Sequence, residues 1–255
     1  MKPRAIMLSI GALLFAGALL AAWELLAAAR LLSPIFFPAP SRAIGDLYAR
    51  LVDGSAWPSI QATAARMLFG WLSASLLGIV LGAAIGCSRL ARDFIEPTLE
   101  FIRPLPASAI IPVAILFLGL SNQMSIAVIC FGAIWPVLLA SVYGFGSVQV
   151  RLAEVAAVLG LSRAEFLRKI ALPSATPDIL SGVRISLAVS LILAVVTEMQ
   201  ASLPGIGRDI FLAQRNFRSP DLYGGLILLG LIGLGANHAL LAVEKRALRW
   251  RQSHS

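Results

Sequence analysis

The stretch Arg151–Asp178, RLAEVAAVLGLSRAEFLRKIALPSATPD, is the long charged insertion between strongly apolar blocks, and its punctuation decides how the rest is read. Residues 149–159 suit a helix, and Gly160 suits the left-handed position just past a helix end. Ser162-Arg163-Ala164-Glu165 spells a capping box, the Ser hydroxyl accepting an orphan N–H while the Glu carboxylate reaches back. The second helix is expected to stop at Leu172-Pro173, because Pro disfavours helical geometry in its predecessor. Thr176-Pro177-Asp178 then predicts a third helix, with Thr as N-cap and Pro at N1. The result is a bent, capped hairpin over about residues 148–177, shaped to be gripped by something else.

The flanking composition says what surrounds it. Of 255 residues, 58% are hydrophobic and 13% charged, and mean hydropathy is +0.86. A soluble domain carries about 25% charged residues. Apolar runs of roughly 20 residues, enough to cross a bilayer, account for the deficit. The chain is therefore expected to be all-α, an integral membrane bundle of six transmembrane helices. Its net charge of +8 does not point to nucleic acid, since no basic patch is interleaved with aromatics. Cys87 and Cys130 sit in apolar segments and read as inert small core residues.

Residues 1–30 form the first expected span, too long for a signal-peptide core and flanked by Lys2 and Arg4. Residues 31–60 form an extracytoplasmic segment, with Ser41 capping a short amphipathic helix from Arg42 to Leu51. Residues 61–255 hold five more spans. The second, about Thr63–Cys87, places Gly70, Ala74, Gly78, Gly82 and Gly86 at spacing four, which lets another backbone approach closely in lipid. Arg66, near its outer end, is expected to snorkel to the interface. The third, Glu96–Leu120, carries Glu96, Glu100 and Arg103 on one face, then a kink at Pro104, Pro106 and Pro112. The fourth is Met124–Phe145 with a kink at Pro136, the fifth Ile179–Ala201, and the sixth Leu222–Val243 after an outside loop, Leu203–Asp221.

Charge sets the orientation. Lys2, Arg4, Arg89, Arg92, Arg151, Arg163, Arg168, Lys169, Lys245, Arg246, Arg249 and Arg251 fall on the side of the hairpin. Arg30, Arg42, Arg50, Arg208, Arg215 and Arg218 fall opposite. The excess places the hairpin and both termini in the cytoplasm.

No span carries a cluster of reactive side chains. Nothing matches G-x4-G-K-[ST], so uphill transport needs energy from another chain or an ion gradient. No zinc pattern or nucleophile elbow occurs either, and the expectation is no catalytic residue and no metal. His238, beside Asn237, reads as an interhelical hydrogen bonder. Glu198 is an ionisable residue within a span, expected either to face the bundle and a pathway or to be solvated at the outer interface. Gly182, Ser186, Ser190 and Ala194 precede it as a small-residue row, and Gln200 follows. Glu24 reads as exposed at the interface.

Glu154, Ala156, Gly160, Ile170, Leu172 and Pro173 match E-A-A-x3-G-x9-I-x-L-P, with Val155 in place of the first Ala. In this the chain resembles the permeases of ABC importers. Pro38-Ala39-Pro40-Ser41, the Arg103-to-Pro112 run, Glu198-Met199 and Gly205-Ile206-Gly207 resemble their nitrate/taurine/aliphatic-sulfonate branch. Ala107 and Ile110 depart from that branch's proline-rich segment. The resemblance implies a type I importer permease of the bacterial inner membrane. Its pathway would be formed by two copies, with Arg103, Pro106, Pro112, Glu198 and Gln200 as pathway candidates and Gly78, Gly82, Gly86, Gly182, Ser186 and Ser190 as packing positions. The hairpin, with Glu154, Ala156, Ala157, Gly160, Ser162, Arg163, Glu165, Ile170, Leu172 and Pro173, would dock onto a cytoplasmic ATPase. Two ATPase chains would bind ATP and Mg, and a soluble binding protein would deliver a small anion such as a sulfonate, taurine or nitrate. An aromatic or heterocyclic solute such as a vitamin precursor is the alternative cargo. The rival mechanism is an ion-coupled carrier protonated at Glu198, against which stands the lack of an internal repeat.

Overall fold

Small residues every fourth position set how the central helices pack. The structure, a computed structural model, describes residues 3–248. Lys2, Arg249 and Arg251 lie outside the described residues, as do the side chains of Arg4, Arg89 and Glu96. Helices α1 (Pro3–Ala28), α2 (Pro40–Val52), α3 (Trp57–Gly86) and α4 (Arg89–Ile102) lead to a 3-10 turn, Ala107–Ile110. Helices α5 (Ile111–Leu118), α6 (Asn122–Gly146), α7 (Val150–Val158) and α8 (Arg163–Phe166) follow. A π turn, Leu167–Ala171, passes into α9 (Leu172–Ala201), then α10 (Ile206–Arg215) and α11 (Ser219–Ala247). No strand occurs among the described residues.

Four helical runs are long and apolar enough to cross a bilayer: α3, α6, the 39-residue run Arg163–Ala201, and α11. Helices α4 and α5 together would make a fifth, bent by 77°. The expected first span corresponds to α1, whose described apolar part, Leu14–Ala28, is shorter than a full crossing. Among the described residues the helices long enough to cross thus number four to five, and the sequence predicts six with α1 as the first.

The core is α3 against α6 against α9, joined through Met67, Ile129, Val137, Phe145, Ile179, Val183 and Leu187. In lipid, burial of apolar surface does not drive helices together, so close packing must. A Cβ on Gly78 would sit 2.9 Å from Val137 Cβ, and one on Gly86 would sit 2.8 Å from Val142 O. Gly82 lies against Ser141 and Leu138 O in the same way. On the other side of α6, a Cβ on Gly182 would be 2.6 Å from Pro136 O. The absent side chain at Gly182 of α9 thus lets the backbone at Pro136 of α6 come close. Ser186 Oγ donates to Ala133 O at 2.7 Å, so α9 also hydrogen-bonds the α6 backbone. Ser190 Oγ turns instead to its own helix, donating to Leu187 O.

Several expectations change. The third span is broken rather than kinked, because Pro104 and Pro106 remove two donors on either side of Leu105 and the chain turns through Ala107–Ile110 before Pro112 restarts it at the head of α5. Ser41 is not the cap of α2. Ala39 is the N-cap and Pro40 stands at N1, while Ser41 gives both its N–H (3.0 Å) and its hydroxyl (2.7 Å) to Glu24. Glu24 therefore ties the C-terminal end of α1 to the first turn of α2, where a carboxylate also suits the helix dipole. The outside loop contains a helix, α10. His238 is exposed and bonds its own helix at Leu234 O, not a neighbour. Cys87 is exposed at the C-cap of α3, not in the core.

Candidate functional site

Two constellations stand at opposite ends of the α3–α6–α9 core. The first is the hairpin. Helix α7 ends with Gly160 at φ +64°. Leu161 N donates to Ala156 O and Gly160 N to Ala157 O, the paired bonds of a Schellman motif. Ser162 follows with both halves of a capping box: its Oγ accepts Glu165 N at 3.3 Å, and Glu165 Oε2 accepts Ser162 N at 3.0 Å. Lys169 Nζ donates to Glu165 Oε1 one turn on. The bend is thus closed by backbone and side-chain bonds rather than by a long loop.

The expected stop at Leu172-Pro173 does not occur. Leu172 N reaches back to Leu167 O in a π turn, and the helix continues through Pro173 and Pro177. A π turn inserts one residue into the ladder, which absorbs the donor that Pro173 lacks. Thr176 is not an N-cap either: its hydroxyl donates to Leu172 O at 2.7 Å within the helix. The hairpin and the span α9 are consequently one rod, Arg163–Ala201.

The hairpin's exposed face is apolar. Val158 is 88% exposed and Leu159 67%, with Val155 also exposed, while Ala156 points inward. Glu154, Ala157, Arg163 and Leu172 are exposed beside them, and Ile170 and Pro173 are half-buried.

The second constellation is an ionic lock at the other end. Glu198 is 0% exposed and Arg66 5%. Arg66 Nη1 donates to Glu198 Oε1 at 2.5 Å. Glu198 Oε2 accepts Thr63 Oγ1 at 3.0 Å and Gly207 N at 2.9 Å. Arg66 Nε donates to Asn122 Oδ1, and its Nη2 to Pro204 O. Ile206 N in turn donates to Thr63 Oγ1. A buried charge pair is stable only when its remaining lone pairs and protons are met, and here they are met from α3, α6, the α9–α10 turn and the start of α10. Gly205 and Gly207 lie against the Glu198 side chain, where a Cβ on Gly207 would stand 3.0 Å from Glu198 Cβ.

Arg66 therefore does not snorkel to the interface. Glu198 is fully buried, enclosed by α3, the α9–α10 turn and the start of α10. Arg103, Pro106, Pro112 and Gln200 are exposed, and none of them bonds the lock. Arg103 and Glu100 share no ion pair. Sequence reasoning missed Thr63 and Asn122, ordinary polar residues near span ends. It also missed Arg184, which pairs with Glu244 and joins α9 to the end of α11. An arginine inside an apolar run was the available signal.

A sequence profile of the binding-protein-dependent transport system inner membrane component matches residues 74–247. The taurine transport system permease protein TauC of Escherichia coli is 30% identical over 224 residues, which cover 86% of this chain and 82% of the relative. The nitrate import permease protein NrtB of Leptolyngbya laminosa is 31% identical over 196 residues, covering 77% and 70%. An inward-facing structure of the MetNI methionine ABC transporter matches with a TM-score of 0.66 at 16% identity, over 75% of this chain and 96% of that one.

Proposed function

Because the chain belongs to the family of inner membrane components of binding-protein-dependent transport systems, we propose that it couples ATP hydrolysis in a partner chain to passage of a small organic or inorganic anion. The observation that carries this is the connection from the exposed Val155–Leu159 face, through a doubly capped bend, into the 39-residue rod Arg163–Ala201 that bears Glu198 near its far end. Movement of an apolar knob seated in a partner's cleft is transmitted only if nothing between knob and span yields. The Schellman turn, the capping box and the unbroken helix meet that requirement.

Two copies of the chain form the pathway, and two cytoplasmic ATPases carry ATP and Mg and grip one hairpin each. Their closure draws the hairpins together, and the spans open toward an extracytoplasmic binding protein. The 61–255 portion is the permease core, with both termini in the cytoplasm. Catalysis of hydrolysis belongs to the ATPase, and this chain supplies no catalytic residue. The relatives' names, taurine and nitrate among them, support an anionic cargo.

Reconstitution tests this. Vesicles holding the permease, its ATPase and its binding protein should accumulate a labelled sulfonate, taurine or nitrate only with ATP inside. Uptake that follows a proton gradient in vesicles lacking the ATPase would overturn the reading.

A further inference from the structure

Helix α2 lies across the first turns of α11. Its Leu47 packs with Ile206, Ile210 and Leu228, and a Cβ on Gly224 would meet Ala43 O at 3.4 Å and Leu47 Cβ at 3.5 Å. One turn from this contact on either helix stands an aspartate, Asp46 on α2 and Asp221 on α11. Asp221 is 92% buried. Its Oδ2 forms an ion pair with Arg218 Nε at 2.5 Å, but its Oδ1 and Asp46 Oδ2 are both buried without a hydrogen-bond partner. The two carboxyls are neighbours across the α2–α11 contact. Two ionised carboxylates have no proton to share, so this contact requires that one of them carry it.

We propose that Asp46 and Asp221 hold a single proton between them, and that this proton seats the outer helix α2 on the head of the last span, making the seating pH-sensitive. The charges around the pair are unequal to replacing the proton. Arg218 is already engaged with Asp221 from the lead into α11. Arg50, one turn along α2, is turned to Asp209 of α10 at 3.3 Å. From α1, Glu24 is held by Ser41 and adds a further negative group rather than a positive one. The Asp46 carboxyl is pushed up to about 6, first by the neighbouring Asp221 carboxyl, then by burial, with Arg50 and Arg218 opposing. A raised carboxyl favours the seated arrangement fully below the ordinary carboxylate range, and the preference fades as pH rises through about 6. Asp221, Arg218 and Asp209 flank a cavity of about 300 Å³ that also reaches Arg50 of α2 and Asn216, so loosening α2 would reshape that outer surface. The proposal draws on the permease reading only for which side of the membrane this face meets.

The test needs neither transport nor ATPase. Spin labels at Tyr48→Cys on α2 and Gln214→Cys on α10, both exposed positions, in a Cys87→Ser, Cys130→Ser background, report the α2 distance in nanodiscs. The expected result is a single short distance at acid pH that broadens and lengthens as pH passes about 6. Asp46→Asn, whose amide donates without titrating, should keep the short distance throughout. Infrared difference spectra of the unlabelled protein should show a protonated carboxyl band that titrates over the same range and is missing in Asp46→Asn. A distance indifferent to pH, a carboxyl band unchanged in Asp46→Asn, or a distance restored at high pH by calcium alone would each overturn the shared proton. None of these results bears on whether the chain is a permease.

Discussion

Arg66 and Glu198 lie 132 residues apart in sequence and meet at 2.5 Å in the core, one near the start of α3 and the other near the end of α9. Their bond closes one end of the bundle, and the hairpin stands at the other.

Removing one member strands the other as an uncompensated buried charge, at a cost of about 3–5 kcal/mol. Glu198→Ala and Arg66→Ala should each lower the unfolding midpoint of the detergent-solubilised protein sharply. The double change Arg66→Met with Glu198→Leu should lose less than either single, because no charge is left behind. Singles that unfold like the wild type would show that the pair contributes nothing to the fold.

Gly82 and Gly230 separate packing from helix propensity. A Cβ on Gly82 runs into Ser141 and Leu138 O, whereas nothing lies within 4 Å of one on Gly230. Gly82→Ala should destabilise by about 1–3 kcal/mol through forced separation of α3 and α6. Gly230→Ala should be neutral or gain up to about 1 kcal/mol from helix propensity. Parallel thermal melts decide, and equal behaviour of the two variants would contradict the packing account.

At Gly160 the constraint is conformational. A Cβ there meets nothing within 4 Å, but φ is +64°. Gly160→Asn should therefore retain most ATPase association, since Asn tolerates the left-handed region, and Gly160→Val should lose it. Co-purification of the ATPase with both variants measures this. Undiminished recovery with Val would mean that the bend is not needed for docking.

Pro173→Ala restores a backbone donor where the π turn compensates for its absence. With a regular ladder, the hairpin should rotate about the rod by roughly one residue's turn, about 100°. ATP hydrolysis should continue while solute moved per ATP falls. An unchanged ratio in proteoliposomes would show that the π turn has no part in transmission.

The legible parts of this fold were those written in local pattern. Spacing-four glycines announced α3, and the Gly160 bend and the Ser162 box are both decided by residues within one turn of each other. What escaped depends on distant partners. Pro173 read as a stop because the π turn that accommodates it leaves no signature in composition. Arg66 and Glu198 each had a plausible solvated reading alone, and only the tertiary approach of α3 to α9 shows that they satisfy each other. Ser41 carried the cap signal, but Pro40 took the helical position and Glu24, 17 residues earlier, took the serine's donors. Helix α10 was hidden in a short polar segment whose buried face, Ile206, Ile210 and Ala213, is too brief to stand out between apolar spans.

The central claim is that the Val155–Leu159 face sits in a cleft of the ATPase. Val158→Cys in a Cys87→Ser, Cys130→Ser background should cross-link to that ATPase in native membranes, with a yield that changes when nucleotide is added. Phe94→Cys, similarly exposed on α4, should not cross-link. Cross-linking from Phe94 with none from Val158 would contradict the account.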